Sequence, residues 1–136
     1  MINFNFEIDF ELHEDKRIST WISDTIITEN RKEGEINYIF CDDNYLHKLN
    51  VEFLNHDTLT DIISFDYSVG NELHGDIFIS IDRIKENAKE YGISVSDELR
   101  RVMVHGVLHY CGYKDKTTED SKLMRDKENH YLSLLS

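Results

Sequence analysis

The sequence predicts an α+β fold, a single four-stranded sheet packed by about five helices, with a metal site on a central buried helix. Three observations carry this expectation. Short segments alternate apolar and polar residues with a period of two, as half-buried strands do. Longer segments repeat apolar residues at helical spacing. The two kinds follow one another as β-α-β-α-β-β-α-α-α, which is not the strict alternation of a parallel α/β fold.

Ile2, Phe4, Phe6 and Ile8 alternate with polar neighbours and predict a strand over 2–8. From Glu14 to about Lys32, Ile18, Trp21, Ile22, Thr25 and Ile26 follow the i, i+3, i+4, i+7, i+8 pattern of an amphipathic helix, which Gly34 is expected to end. Ile36–Cys41 reads as the second strand. Asp42 or Asp43 then caps a helix through Leu46, Leu49 and Phe53. Ile62–Tyr67 and Asp76–Ile81 are two further strands, joined by turn chemistry at Val69-Gly70-Asn71-Glu72.

A short helix from Asp82 to about Tyr91 closes on Gly92. Ser94 or Ser96 caps the next, Asp97 to Cys111. Its apolar residues lie on nearly every side, so it is expected to be the buried central helix. Gly112 suits a left-handed stop. Thr117 with Asp120 resembles a capping box for a last helix, with Leu123, Met124, Tyr131, Leu134 and Leu135 expected on one face.

The length of 136 residues fits one domain spanning 1–136, able to bury about two-thirds of its unfolded surface. No apolar run approaches the roughly 18 residues that span a bilayer. The N-terminus has neither the basic nor the apolar region of a signal peptide. Two cysteines, Cys41 and Cys111, do not make a secreted disulfide framework, so the cell interior is the expected location. A net charge of −12 argues at first against a nucleic-acid partner. Between Leu99 and Lys127, however, seven basic residues face four acidic ones. That segment carries +3, which leaves −15 on the remainder. A bound divalent cation would add two further charges there; the plainer alternative is a solvated helical surface.

His105 and His109 stand four apart in the central helix, so both imidazoles leave one face about one turn apart. That spacing lets two nitrogens meet one Zn²⁺ at about 2.0–2.1 Å. Two unpartnered imidazoles would be costly on so apolar a helix. Gly112 lets the chain turn back, so that Asp115 can bring an oxygen as third ligand. Three protein ligands with one open position make a catalytic zinc site, in which a metal-bound water serves as nucleophile. The alternative is two core histidines bonded to backbone carbonyls. Zincin metalloproteases place a Glu directly after the first His as general base; here that residue is Gly106.

The segment His105-Gly106-Val107-Leu108-His109-Tyr110-Cys111-Gly112-Tyr113-Lys114-Asp115 closely resembles the signature of the YbeY family, H-G-x-L-H-x-x-G-x-D-H. Upstream, Leu49-Asn50, Asp57, Thr60-Asp61-Ile62-Ile63-Ser64-Phe65 and Gly75-Asp76-Ile77-Phe78-Ile79-Ser80 follow the family's further blocks in order. The resemblance covers residues 36 to 125. It implies a zinc-dependent, single-strand-specific endoribonuclease acting in 16S rRNA 3'-end maturation and ribosome quality control in the cytoplasm. The implied cofactor is one zinc ion per chain, and the implied partners are precursor rRNA and the small ribosomal subunit, with no membrane.

The chain departs from the family pattern at four positions. The third ligand, usually His, is Asp115, and Lys114 precedes it in place of Asp. A carboxylate is a legitimate zinc ligand; the alternative is that Asp115 is too short to reach, which leaves water to complete a two-His site. An Arg expected on the substrate side is Leu54, with Arg100 or Arg101 as candidate replacements, and the Pro expected before Thr60 is Leu59. Thr60, Asp61 and Ser64 fall in a family block as substrate contacts, supports of the ligands, or turn and strand caps; no general base is assigned. Cys111, Trp21 and the scattered His13, His47, His56, His74 and His130 are expected outside the site. Two further readings stay open, a ribosome-associated RNA-binding protein with a structural metal and a metallohydrolase of another class.

Overall fold

Alternation and helical spacing resolve into nine elements in a computed structural model, which describes residues 1–135. They are β1 (Ile2–Phe6), α1 (Asp15–Thr28), β2 (Lys32–Cys41), α2 (Asp43–Leu54), β3 (Ile62–Asp66), β4 (Glu72–Ser80), α3 (Ile81–Tyr91), α4 (Val95–Tyr110) and α5 (Thr118–Ser133). The sheet order is β1-β2-β4-β3. β1 and β4 flank β2 in parallel, and β3 runs antiparallel on β4 through the turn at Gly70, whose φ is 58°. The expected α+β class and order of elements are those observed.

Side-chain alternation gives the sheet two different faces. Tyr38, Phe40, Ile77 and Ile79 pack against Ile18, Trp21, Ile22 and Ile26 of α1 and Met103, Val104, Val107 and Leu108 of α4. The opposite face is smaller, with Cys41, Ile63 and Phe78 meeting Leu46 of α2. Tyr38 carries its hydroxyl into the larger core and donates to the Met103 carbonyl at 2.8 Å, so α4 is tied to the middle of the sheet. Gly106 lies where α4 crosses the strands. A Cβ there would stand 3.0 Å from Ile77 and 3.2 Å from Ile62. The position is buried against apolar side chains, so a carboxylate side chain in the zincin place would be crowded by the strands.

Two sequence expectations are corrected. Helix α1 stops at Thr28, and Gly34 lies inside β2. The stop is made by Asn30, in the left-handed region at φ 62°, with Asn30 N–H donating to the Ile27 carbonyl and Arg31 N–H to the Ile26 carbonyl. That is a Schellman closure, in which Asn serves as Gly often does. Gly34 answers a different need: a Cβ there would collide with the Leu73 carbonyl and approach the His74 ring to 2.5 Å, beside a register shift between Glu33 and Ile36.

The second correction concerns α5. Leu123 and Leu134 are exposed; the helix buries Met124, Glu128 and Tyr131, with Leu135 buried just past its end. A carboxylate occupies a core position of this helix.

Candidate metal centre

Helix α4 holds both imidazoles on its half-exposed side while its other faces are buried. Ser94 caps its start by accepting from Asp97 N–H, and Gly112 at φ 103° ends it. The chain then folds back, with Tyr113 N–H donating to the Leu108 carbonyl at 3.1 Å. This return brings Asp115 over the histidine pair. The Nε2 atoms of His105 and His109 lie 3.0 Å apart. Asp115 Oδ2 is 3.3 Å from the first and 3.4 Å from the second. Reach therefore does not limit Asp115.

The other ring nitrogens fix the chemistry. His105 Nδ1 meets Glu128 Oε2 at 2.7 Å, and His109 Nδ1 meets the Tyr113 carbonyl at 2.9 Å. A carboxylate and a carbonyl only accept, so each Nδ1 carries a proton, and in the neutral rings each Nε2 keeps a lone pair. Two lone pairs and a carboxylate oxygen thus converge, an arrangement that a proton or a metal ion among them relieves. Tetrahedral bonds of about 2.0–2.1 Å place donors about 3.3 Å from one another. The donor set matches that spacing, so His105, His109 and Asp115 fit a metal ion.

Glu128 is buried and also accepts from Arg101 Nη1 at 3.1 Å. Arg125 stands 3.7 Å from the same oxygen. Burial would pull the His105 imidazole down, yet the Glu128 carboxylate outweighs it and raises the proton affinity overall. Glu98, also buried, lies 3.6 Å from Arg101 Nε and leaves its Oε1 without a hydrogen bond. Burial pushes the Glu98 and Asp61 carboxyls up.

These groups line a cleft of about 210 Å³ that includes Asp61, His105, Asp115, Arg101 and Arg125. A larger hollow of about 430 Å³ between α1 and the end of α5 is lined by Trp21, Tyr131 and Leu134. It brings no ligating set together, so the smaller cleft is the candidate site.

Of the residues singled out from sequence, the cleft includes Asp61, whereas Thr60 and Ser64 are not among its lining residues. The Thr60 hydroxyl donates to the Ile62 carbonyl, and Ser64 is exposed on β3. Arg100 pairs with Glu14, and Arg101 is the one of the two that reaches the cleft. His47 pairs with Asp57 and His74 with Glu72, away from the centre. Cys111 is buried, and burial pushes its thiol up to about 11. Sequence reasoning missed Glu128 and Glu98. For Glu128 there was a signal, a lone charge at the core spacing between Met124 and Tyr131.

The chain is similar to known proteins over almost its whole length. The family model described as Endoribonuclease YbeY matches residues 3–136. A protein of Flavobacterium psychrophilum named Endoribonuclease YbeY is 61% identical over 134 residues, covering 98% of this chain and 96% of the relative. One of the same name from Flavobacterium johnsoniae is 59% identical over 134 residues, with the same coverage. A solution structure of a Thermotoga maritima protein superposes with a TM-score of 0.71 at 24% identity, over 99% of this chain and 89% of that one; it shares the fold. Among the described residues, no helix is long and apolar enough to cross a membrane.

Proposed function

The chain belongs to the YbeY endoribonuclease family, and we propose that residues 1–136 act as one zinc-dependent, single-strand-specific endoribonuclease domain in the cytoplasm. Its proposed substrate is precursor rRNA at the small subunit, in 16S 3'-end maturation and ribosome quality control. The observation that carries the metal-dependent part is the convergence of His105 Nε2, His109 Nε2 and an Asp115 oxygen within 3.0–3.4 Å, beside an open cleft.

A bound Zn²⁺ supplies Lewis acidity at a phosphoryl oxygen and makes a nearby water more acidic. The chain's own residues do the rest. His105, His109 and Asp115 hold the ion. Glu128 and the Tyr113 carbonyl keep both rings in the tautomer that frees Nε2. Arg101 and Arg125 meet phosphate charge at the cleft, the work an Arg in place of Leu54 would have done. Asp61 contacts substrate within the cleft, while Thr60 and Ser64 serve the local strand.

The test is zinc content together with cleavage of a single-stranded RNA, in wild type, His109→Ala and Asp115→Ala. One zinc per chain, lost with cleavage in both variants, is the expected result. Wild type that takes up no zinc when purified without chelator overturns the metal reading. Metal bound without cleavage points to an RNA-binding protein with a structural metal, the reading favoured by Leu54 standing where the family pattern has Arg. A metallohydrolase of the peptidase kind is disfavoured by Gly106, packed on Ile77 and Ile62.

A further inference from the structure

We infer that Glu29 is a positioning residue of the metal centre, acting through Tyr113 on His109 and on the loop that carries Asp115. Glu29 is the C-terminal cap of α1, and its side chain is 10% exposed. Three donors converge on its carboxylate. Tyr113 Oη donates to Oε1 at 2.6 Å, and Lys127 Nζ approaches Oε2 at 3.3 Å. The Tyr131 hydroxyl donates to Oε2 as well. The Lys127 ammonium also stands 5.3 Å over the Tyr113 ring, so that ring is held at its edge and on its face.

Tyr113 works at both of its ends. Its hydroxyl is fixed to α1, a partner 84 residues away in sequence. Its carbonyl accepts a hydrogen bond from His109 Nδ1–H at 2.9 Å and so decides which His109 nitrogen faces the ion. His105 has a buried carboxylate for this task, whereas His109 relies on a loop carbonyl. Gly112, Lys114 and Asp115 around that carbonyl are exposed, so the loop draws little order from its own packing. Its order comes from the Glu29 anchor. A second tie from the same end of α1 supports it, since Arg31 Nη2 donates to the Cys111 carbonyl at 2.8 Å. The bland alternative is that Glu29 staples α1 to α5 through Tyr131 and leaves the metal untouched.

Two single-hydroxyl deletions separate these roles, and the inference rests on the metal reading given above. Zinc affinity of the full chain is measured by competition with a chelator, alongside thermal stability without metal and the absorption spectrum of the Co²⁺ form. Tyr113→Phe is expected to weaken zinc binding about 10-fold and alter the Co²⁺ bands, while Tyr131→Phe stays within about 2-fold of wild type. Both are expected to lose thermal stability, because each removes a hydrogen bond to the same carboxylate. Glu29→Gln, measured in the same way, is expected to weaken zinc binding too and serves should Tyr113→Phe fail to fold. Equal zinc affinity in Tyr113→Phe and wild type, or equal losses in the two Phe variants, overturns the inference while leaving the metal reading intact. Wild type that binds neither zinc nor cobalt defeats the metal reading and this inference with it.

Discussion

Replacing Glu128 by Gln keeps the side-chain volume and removes one charge from the middle of the site. The wild-type carboxylate accepts from His105 Nδ1 at 2.7 Å and from Arg101 Nη1 at 3.1 Å. An amide has one oxygen and one NH₂ group, so while His105 keeps its proton on Nδ1 a donor faces a donor whichever way the amide turns. The loss is at least one charge-assisted hydrogen bond, about 1.5–3 kcal/mol. Breaking a fully buried ion pair costs about 3–5 kcal/mol. That is an upper bound here, because the Arg101 side chain is 21% exposed and keeps Glu98 at 3.6 Å. We therefore expect a loss of about 2 kcal/mol in the metal-free protein. At this chain length that lowers the melting midpoint by about 6–10 °C. His105 also loses the acceptor that holds its tautomer, so zinc affinity is expected to fall by about 10- to 100-fold. Calorimetry in chelator and a competition titration read the two effects separately. Melting unchanged and zinc affinity within about 2-fold of wild type would refute the orienting role of Glu128.

Two further outcomes follow from the packing and the titration of named groups. A Cβ at Gly75 would collide with the Tyr110 hydroxyl and stand 2.5 Å from the Phe65 carbonyl, so Gly75→Ala is expected to cost about 1–3 kcal/mol, seen as a lower urea midpoint at unchanged slope. Burial raises the Glu29 carboxyl, but the Tyr113 and Tyr131 hydroxyls and Lys127 together outweigh it and hold the group below its ordinary 4.5. A depressed carboxyl stabilises the fold fully above the unfolded value and loses that contribution as pH falls through the folded one. In chelator, wild type should therefore lose stability below about pH 4.5 more steeply than Glu29→Gln, and parallel acid titrations of the two would count against the anchor.

How much of this was legible depends on the range over which each contact acts. The donor set could be read because helical spacing and a glycine stop are local features, and His105, His109 and Asp115 share one short stretch. The groups that meet the far nitrogens could not, since nothing about an i, i+4 pair says what faces Nδ1. Glu128 comes from the next helix, and the Tyr113 carbonyl that meets His109 Nδ1 belongs to a residue held by Glu29 at the end of the first. The same limit explains the fold errors. Gly34 looked like a helix stop because it follows a helical run, yet its role is set by Leu73 and His74 across the sheet. Leu123 and Leu134 looked like core because they are apolar, while Met124, Glu128, Tyr131 and Leu135 keep the spacing that faces inward. A polar residue at a core spacing was the clue, and hydrophobicity alone hides it.

The three donors and their two supports are also ordered in time. His105 to Asp115 spans eleven residues, and a loop of that size closes within about 10–100 ns, so the donors can meet as soon as they leave the ribosome. Glu29 has been made long before. Glu128 follows His105 by 23 residues, and Lys127 and Tyr131, which secure Glu29, arrive with it. A nascent chain paused before α5 thus owns every ligand and the Glu29–Tyr113 tie, but neither Glu128 nor the two α5 groups that secure Glu29. On the metal reading, a product truncated before α5 is expected to hold zinc less firmly than the full chain, because His105 lacks its Glu128 acceptor.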